Sequence, residues 1–379
     1  MNHHIPTVLR RRALLLAMAA APAAALAQAR GEILVGRTTA LSGGMAPFMN
    51  PVHEGHDAAI ADLNAQGGIG GRPVRLVTLD DGFDAKRTLE NARTLVEKEG
   101  VVALFGTAGT SQVMTLLPYL AQVKLPLIGV YTGSPTVRMQ GSPYLFTTSA
   151  SYADELVKIV RNLVSIQSSR IAVAYESNDF GKLLLPLAEK VIAAEKATLA
   201  GSQMMDSSGK DADAAAKALG ALKPQAVLMI AAGPPAVAYV RAHKAQFGGG
   251  VPVYTLSLGA GTAVLKALGD DARGLAVART TPSPNKPTLA LTRDFQASMK
   301  RHNKFIDYDH FVGYMDARVL IEGLKAAGPG VTRASLTQAM EGLNRLDVGG
   351  FTYQFSAQNR NGSNYVDIAV VGAGGSYRQ

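Results

Sequence analysis

The loop at residues 106–111 is rich in hydroxyl groups and small residues. It reads GTAGTS, follows a short apolar segment at 101–105, and leads directly into a segment with helical spacing. The first backbone N–H groups of a helix can bind an anion, and Thr or Ser hydroxyls add further donors. A carboxylate could therefore be held here without a formal positive charge. The same residues can instead serve only as helix caps.

The sequence gives little support for a catalytic or metal-binding motif. Residues 53–56 read HEGH, but the two histidines lack i, i+4 spacing and no third ligand stands out, so we interpret them as surface residues at a helix start. No G-x-S-x-G or G-x-x-x-x-G-K-[ST] motif occurs, and there is no cysteine. Residues 68–71 (GIGG) follow a predicted helix rather than a strand, which argues against dinucleotide binding. We therefore predict a protein that is not an enzyme and has no metal, cofactor or disulfide.

The elements that position the 106–111 loop alternate between apolar strands and amphipathic helices. A new strand begins at intervals of roughly 25 to 30 residues, as in βα units. The predicted strands are 33–36, 74–81, 101–105, 125–130, 171–175, 198–203, 226–230, 251–254 and 274–281. The predicted helices are 55–66, 85–99, 111–123, 152–166, 180–195, 212–222 and 235–246. This pattern predicts an α/β fold with parallel sheets covered on both faces.

The opening of the chain resembles the leucine/isoleucine/valine-binding family of periplasmic solute-binding proteins. The shared features come in order: an apolar strand, the LSG loop at residues 41–43, a helix ending IADLNAQGGIGG, and a strand ending in DD at 80–81. The likeness continues through almost the whole chain after the first 27 residues. It implies a receptor that captures a small molecule.

The resemblance also implies a domain organisation. The expected fold class is α/β, with two doubly wound parallel-sheet lobes joined by three hinge crossings. The sequence breaks its βα rhythm at residues 142–148, 274–287 and 346–355, where those crossings should fall. We therefore expect lobe 1 at 28–148 plus 280–347 and lobe 2 at 149–279 plus 348–379.

The family's ligand-binding positions carry over to loops at strand ends. The 106–111 loop would bind the ligand carboxylate, and the loop after the 125–130 strand would add contacts, although Gly133 stands where a Thr is common. For any single Phe or Tyr, core packing is the alternative explanation. The implied set is Phe48, Gly109, Thr110, Ser111, Thr132, Gly133, Ser151, Tyr152, Phe180, Gly233, Leu258 and Tyr314.

One departure from the family concerns the ligand ammonium. Amino-acid binders of the family hold it with a Glu from a second-lobe loop, but the corresponding loop here, 255–261 (TLSLGAG), has no acid. An unpaired buried charge costs about 3–5 kcal/mol. Among nearby acids, Asp154 and Glu155 are interpreted as helix-start residues. The ligand is therefore expected to be either an amino acid such as Leu, Ile or Val, or an amino-free aromatic or aliphatic acid.

Export is predicted from the first 27 residues. Three arginines at 10–12, an apolar run at 13–26 and an A-x-A site ending at Ala27 are typical of a cleaved signal peptide, by either the general or the twin-arginine route. Without them the formal net charge falls from +9 to +6, and the cations are scattered. That distribution does not favour nucleic-acid binding.

The expected partner is an inner-membrane ABC permease. The resemblance implies a periplasmic monomer, not inserted in the membrane, that delivers a small carboxylate. An alternative is a periplasmic sensor domain that reports ligand occupancy to a signalling partner.

Overall fold

The computed structural model describes residues 31–373, 377 and 378. Its first sheet is built from short apolar segments. Its strands are β1 (Ile33–Thr39), β2 (Val74–Asp80), β3 (Leu104–Phe105), β4 (Leu127–Ile128) and β5 (Leu145–Phe146). They are parallel and lie in the order β2-β1-β3-β4-β5. The helices between them are α1 (Ala46–Ala65), α2 (Ala85–Glu97), α3 (Thr110–Val123) and α4 (Pro135–Met139).

The second sheet repeats this strand order. The chain forms α5 (Tyr152–Ser165), β6 (Arg170–Glu176), α6 (Asp179–Ala194), β7 (Thr198–Met205), α7 (Ala212–Ala221), β8 (Ala226–Ile230), α8 (Pro234–Phe247), β9 (Val253–Thr255), α9 (Thr262–Leu268) and β10 (Ala276–Arg279). The five strands are parallel in the order β7-β6-β8-β9-β10. Each lobe is therefore doubly wound, as expected.

The chain then returns to the first lobe before it ends in the second. It forms α10 (Ala290–Arg301), α11 (Tyr308–Ala327), α12 (Arg333–Glu341) and an antiparallel hairpin of β11 (Leu346–Asp347) and β12 (Thr352–Tyr353). Finally β13 (Asp367–Val371) and β14 (Tyr377–Arg378) join the edge of the second sheet beside β10. Both run antiparallel to their neighbours.

Both sheets are covered on both faces. In the first lobe, Phe105 packs in the core that contains α1 and α11, whereas the neighbouring Leu104 packs on the other face with α2 and α3. The second sheet likewise has a separate core on each face. Burial on both faces explains why the strands read as continuous apolar runs.

Helices α1 and α11 cross at close range because each has a glycine at the contact. A Cβ at Gly55 would overlap the carbonyl oxygen of His310, and one at Gly313 would overlap that of Val52. This packing fixes the N-terminal end of α11 beside the boundary between the lobes. No helix in the described part of the chain is long and apolar enough to cross a membrane.

Two local predictions in the first unit are wrong. The first helix begins at Ala46 rather than at residue 55, with Pro51 inside it. The HEGH motif therefore lies within α1, not at a helix start. His53 and His56 are buried, at 5% and 0% exposure, and His53 Nε2 lies 2.9 Å from the Thr39 hydroxyl.

The predicted boundary after residue 347 also needs correction. Val348, Phe351, Tyr353 and Phe355 pack in the first-lobe core, so the last crossing follows residue 355. The backbone N–H of Thr147, in the first crossing, donates to the carbonyl of Arg360 over 2.9 Å. The predicted export signal lies outside the described residues.

Candidate functional site

A cavity lies between the lobes, at the carboxyl ends of β4, β9 and β10. Its empty space, counted together with its opening to solvent, is about 480 Å³. Among the predicted residues, Thr132, Gly133, Tyr152 and Leu258 line it. The lining residues that the sequence analysis did not single out as ligand-binding include Glu155, Arg279, Thr281, Tyr308 and Asp309.

The loop after β4 forms the first-lobe wall. The Oγ1 atoms of Thr132 and Thr110 are 3.0 Å apart, and the backbone N–H of Ser134 donates to Thr132 Oγ1 over 3.2 Å. A Cβ at Gly133 would lie 2.6 Å from Cδ1 of Tyr152. The backbone N–H of Tyr152 also donates to the carbonyl of Gly133 over 2.8 Å. A side chain at Gly133 would therefore overlap Tyr152 of the opposite lobe.

The predicted carboxylate cradle lies beside the cavity rather than in its lining. Gly109 has φ of +93° and precedes α3, and no side chain caps that helix. Ser111 is exposed, and the hydroxyl of Thr110 is engaged with Thr132. Helix capping therefore does not explain Thr110 and Ser111, and their role as ligand donors stays a prediction.

An aromatic pair forms part of the second-lobe wall. The ring of Tyr152 faces the cavity, and the half-buried Phe180 packs edge-on behind it at 5.5 Å between ring centroids. Leu258 reaches the cavity from the 3₁₀ turn at Ser257–Ala260. Ser151 instead caps α5, since it accepts from the backbone N–H of Asp154 while the Asp154 carboxylate accepts from Ser151.

The structure separates the other predicted residues from the cavity. Phe48, from α1, crosses the cleft and packs against the second-lobe core, where a Cβ at Gly233 would lie 3.4 Å from its Cζ. Tyr314 lies in the first-lobe core, with its ring 5.5 Å from that of Phe295. The tyrosine of α11 that lines the cavity is Tyr308.

Arg279, which sequence reasoning missed, is buried at the end of β10 with 3% exposure. Its guanidinium carbon lies 4.3 Å from the ring centroid of Tyr308 and 4.7 Å from that of Tyr377. It donates to the carbonyl of Ala260 over 2.8 Å and to the Tyr377 hydroxyl. Among the described residues no carboxylate forms an ion pair with it. An arginine in an otherwise apolar strand, AVAR, was the available signal.

The carboxylate of Glu155 lies beside the 255–261 loop, which contains no acidic residue. Glu155 is 1% exposed, and its carboxylate accepts from the backbone N–H of Ser257 over 2.7 Å and from the Ser257 hydroxyl over 3.0 Å. Burial raises its pKa to about 7. The interpretation of Asp154 and Glu155 as helix-start residues is confirmed, since both lie in the first turn of α5. Glu155 also lines the cavity.

Asp309 completes the charged lining from α11. Its Oδ2 accepts from the backbone N–H of Thr262, across the cleft, over 2.6 Å. Burial raises the pKa of this carboxyl. The cavity therefore presents one guanidinium and two carboxyls, all on buried residues, which is suited to binding a small polar molecule. No cluster of three or more metal-ligating side chains occurs in the region that the structure describes.

The comparison with protein families gives one clear assignment. A family model described as "Periplasmic binding protein" matches residues 32–376. The Leu/Ile/Val-binding protein of Escherichia coli K12 is 23% identical over 152 residues, which is 40% of this chain and 41% of that protein. That match thus spans less than half of the relative. The Leu/Ile/Val-binding protein homolog 7 of Brucella suis biovar 1 is 23% identical over 364 residues, 90% of each chain.

Solved structures are also similar to this chain over most of its length. A substrate-binding periplasmic protein from Ralstonia solanacearum is 30% identical with a TM-score of 0.81, covering 91% of this chain and 99% of that one. An extracellular ligand-binding receptor from Verminephrobacter eiseniae is 25% identical with a TM-score of 0.84, covering 92% and 100%. The chain belongs to the periplasmic binding protein family, in the type I group of the leucine/isoleucine/valine-binding proteins.

Proposed function

We propose that this protein is an extracytoplasmic solute-binding protein that captures a small carboxylate-bearing ligand between its lobes and delivers it to an ABC importer. The observation that carries the proposal is the cavity itself, which residues of both lobes line and which contains buried groups of opposite charge, Arg279 and Glu155. A ligand there would be enclosed on both sides. The remaining predicted contacts, from Gly109 to Tyr152, would surround it.

The structure favours a ligand with an amino group. Glu155 is the acid that the 255–261 loop lacks, and its hydrogen bonds to Ser257 fix it beside that loop. A ligand ammonium would pair with this carboxylate and avoid the cost of a buried unpaired charge. We therefore propose an amino acid as the first candidate and an amino-free acid as the second.

Structures of the same fold hold ligands of both kinds. A branched-chain amino acid ABC transporter protein from Thermus thermophilus has bound valine, with 16% identity and a TM-score of 0.79. A solute-binding protein from R. palustris is in complex with benzoate, with 20% identity and a TM-score of 0.79. At these identities the likeness concerns the fold, so the ligand of this chain needs its own test.

The test is a thermal-shift screen of residues 28–379 with matched acids. L-leucine is compared with isocaproate, which lacks only the amino group, and L-valine and benzoate are added. A ligand at a thousandfold excess over its Kd adds about 4 kcal/mol of stability, which raises the midpoint by several degrees. A shift with L-leucine or L-valine alone supports the amino-acid proposal. A shift only with isocaproate or benzoate overturns it, and no shift with any acid overturns the carboxylate proposal.

Delivery is a separate part of the proposal. The family is periplasmic, and we propose that residues 1–27 direct export and that the protein acts as a monomer. Genes for a permease and an ATPase beside this one, together with loss of uptake of the bound acid when this gene is deleted, are the expected results. Normal uptake in the deletion strain would contradict the proposal.

A further inference from the structure

Arg279 is a buried cation that forms no ion pair with a carboxylate in the part of the chain that the structure describes. We propose that Arg279, together with the hydroxyls of Thr281 and Tyr308, binds the carboxylate of the ligand. The inference rests on the proposed function and assigns that function's anionic contact to a site other than the loop at 106–111. A buried charge is stable only when it is paired or fully hydrogen-bonded, so a carboxylate is the natural occupant.

Two donors beside the cavity have no partner among the described residues. They are Nε of Arg279 and Oγ1 of Thr281, each on a residue that lines the cavity and is 3% exposed. The Tyr308 oxygen interacts with Ser283, which leaves the hydroxyl proton of Tyr308 for another acceptor. Buried polar groups are nearly always hydrogen-bonded in native proteins. Two unpaired donors beside one cavity therefore indicate an acceptor that binds there.

The guanidinium is held in one orientation. The rings of Tyr308 and Tyr377 lie at 4.3 and 4.7 Å from its carbon, and the Ala260 carbonyl and the Tyr377 hydroxyl both accept from one terminal nitrogen. Hydrogen bonds between a guanidinium and a carboxylate are charge-assisted and therefore strong. Because both contacts use Nη2, the N–H of Nε remains as a donor for the ligand.

Charge separation across the cavity supports the same assignment. Glu155 and Arg279 both line the cavity and interact electrostatically, but they form no ion pair with each other within the described residues. A ligand with a carboxylate at one end would fill the gap between them. A second anion beside Glu155 would instead be repelled, whereas Arg279 attracts it, which favours the Arg279 side for the ligand carboxylate.

The anchor is complete only when the lobes are closed. Arg279 belongs to the second sheet, Thr281 to the crossing that follows it, and Tyr308 to α11 of the first lobe. A carboxylate bound by all three would link the lobes and favour the closed form. The loop at 106–111, in contrast, belongs to the first lobe alone.

The test compares each acid with its amide, since an amide keeps the shape and loses the charge. Isothermal titration calorimetry is run with L-leucine and L-leucinamide, and with benzoate and benzamide, on the wild type and on Arg279→Gln. We expect the wild type to prefer the acid, and Arg279→Gln to lose about 100-fold in affinity for the acid with little change for the amide. Thr281→Val, which keeps the arginine and its stacking, should lose about 10-fold for the acid.

The controls are Arg161→Gln, an exposed second-lobe arginine paired with Glu195, and Ser111→Ala in the rival cradle. Arg161→Gln should bind as the wild type does. If Arg279→Gln and Thr281→Val keep the wild-type preference for the acid, the anchor is wrong, and loss of that preference in Ser111→Ala would place the carboxylate in the cradle. If the wild type binds none of the acids, the proposed function fails and the anchor with it.

Discussion

At the scale of single residues, the contact between the two lobes depends on the absence of a side chain at Gly133. The space that a side chain would need there is occupied by the ring and the backbone nitrogen of Tyr152, which lie 2.6 and 3.0 Å from the position of a Cβ. The two lobes touch at this point, and a hydrogen bond joins them. The size of one residue therefore controls how closely the cleft can close.

Gly133→Ala should hold the lobes apart. Because the added methyl group must displace Tyr152, we expect affinity for the acid found in the thermal-shift screen to fall about 10- to 100-fold, in line with the 1–3 kcal/mol cost of overpacking. Calorimetric titration measures this. Gly330→Ala is the matched control, since nothing lies within 4 Å of a Cβ there. Equal affinity in Gly133→Ala and the control would show that the contact does not limit closure.

Glu155 should make stability depend on pH. Burial raises its pKa from 4.5 to about 7, so the folded protein holds this proton more tightly than the unfolded chain does. Stability then falls as pH rises from about 4.5 to about 7, by up to about 3 kcal/mol from this group. Glu155→Gln should remove that part of the loss.

Urea unfolding at pH 5 and pH 7 measures the effect, with the exposed Glu99→Gln as control. Asp316, whose pKa burial also raises to about 7, contributes in every variant and cancels in the comparison. The same pH dependence in Glu155→Gln and the wild type would contradict the assignment.

At the scale of helices and strands, the sequence predicted best where a short strand pattern is bounded by polar turns. The strand at 226–230 was predicted to the residue as a continuous apolar run, and the strand at 74–80 was predicted to within one residue from its alternating residues. Helix α1 was predicted nine residues short, since the helical spacing was recognised only from residue 55 onward, whereas the helix begins at Ala46 and includes Pro51. Helix α11 was not predicted: it is buried on most sides and has no clear polar face.

The role of Ser151 is decided at the level of its helix. Its hydroxyl is part of the capping box of α5, so Ser151→Ala should lower the free energy of unfolding by about 1 kcal/mol and change ligand affinity little. Thr332→Ala is the matched control, since it changes the capping box of a different helix, α12. Denaturant unfolding and calorimetry together separate the roles. A loss of affinity without a loss of stability would return Ser151 to the ligand-binding set.

At the scale of the whole molecule, the site is assembled from parts that are distant in sequence. Glu155, Arg279 and Tyr308 lie on a helix, a strand end and another helix, and only the crossings between the lobes bring them to one cavity. The sequence analysis predicted Thr132, Gly133, Tyr152 and Leu258 as ligand-binding residues because they match ligand-binding positions of the family that the chain resembles. It missed Arg279 because strand position alone does not show that a guanidinium lines the cavity, where among the described residues it forms no ion pair with a carboxylate.

The central claim is that a small carboxylate binds between the two lobes. A crystal structure of residues 28–379 with the most stabilising acid of the screen tests it most directly. We predict that the acid lies in the cavity, contacts Thr132 or Gly133 from one lobe and Glu155 or Leu258 from the other, and places its carboxylate against Arg279. An acid bound outside this cavity, or in contact with one lobe only, would contradict the account.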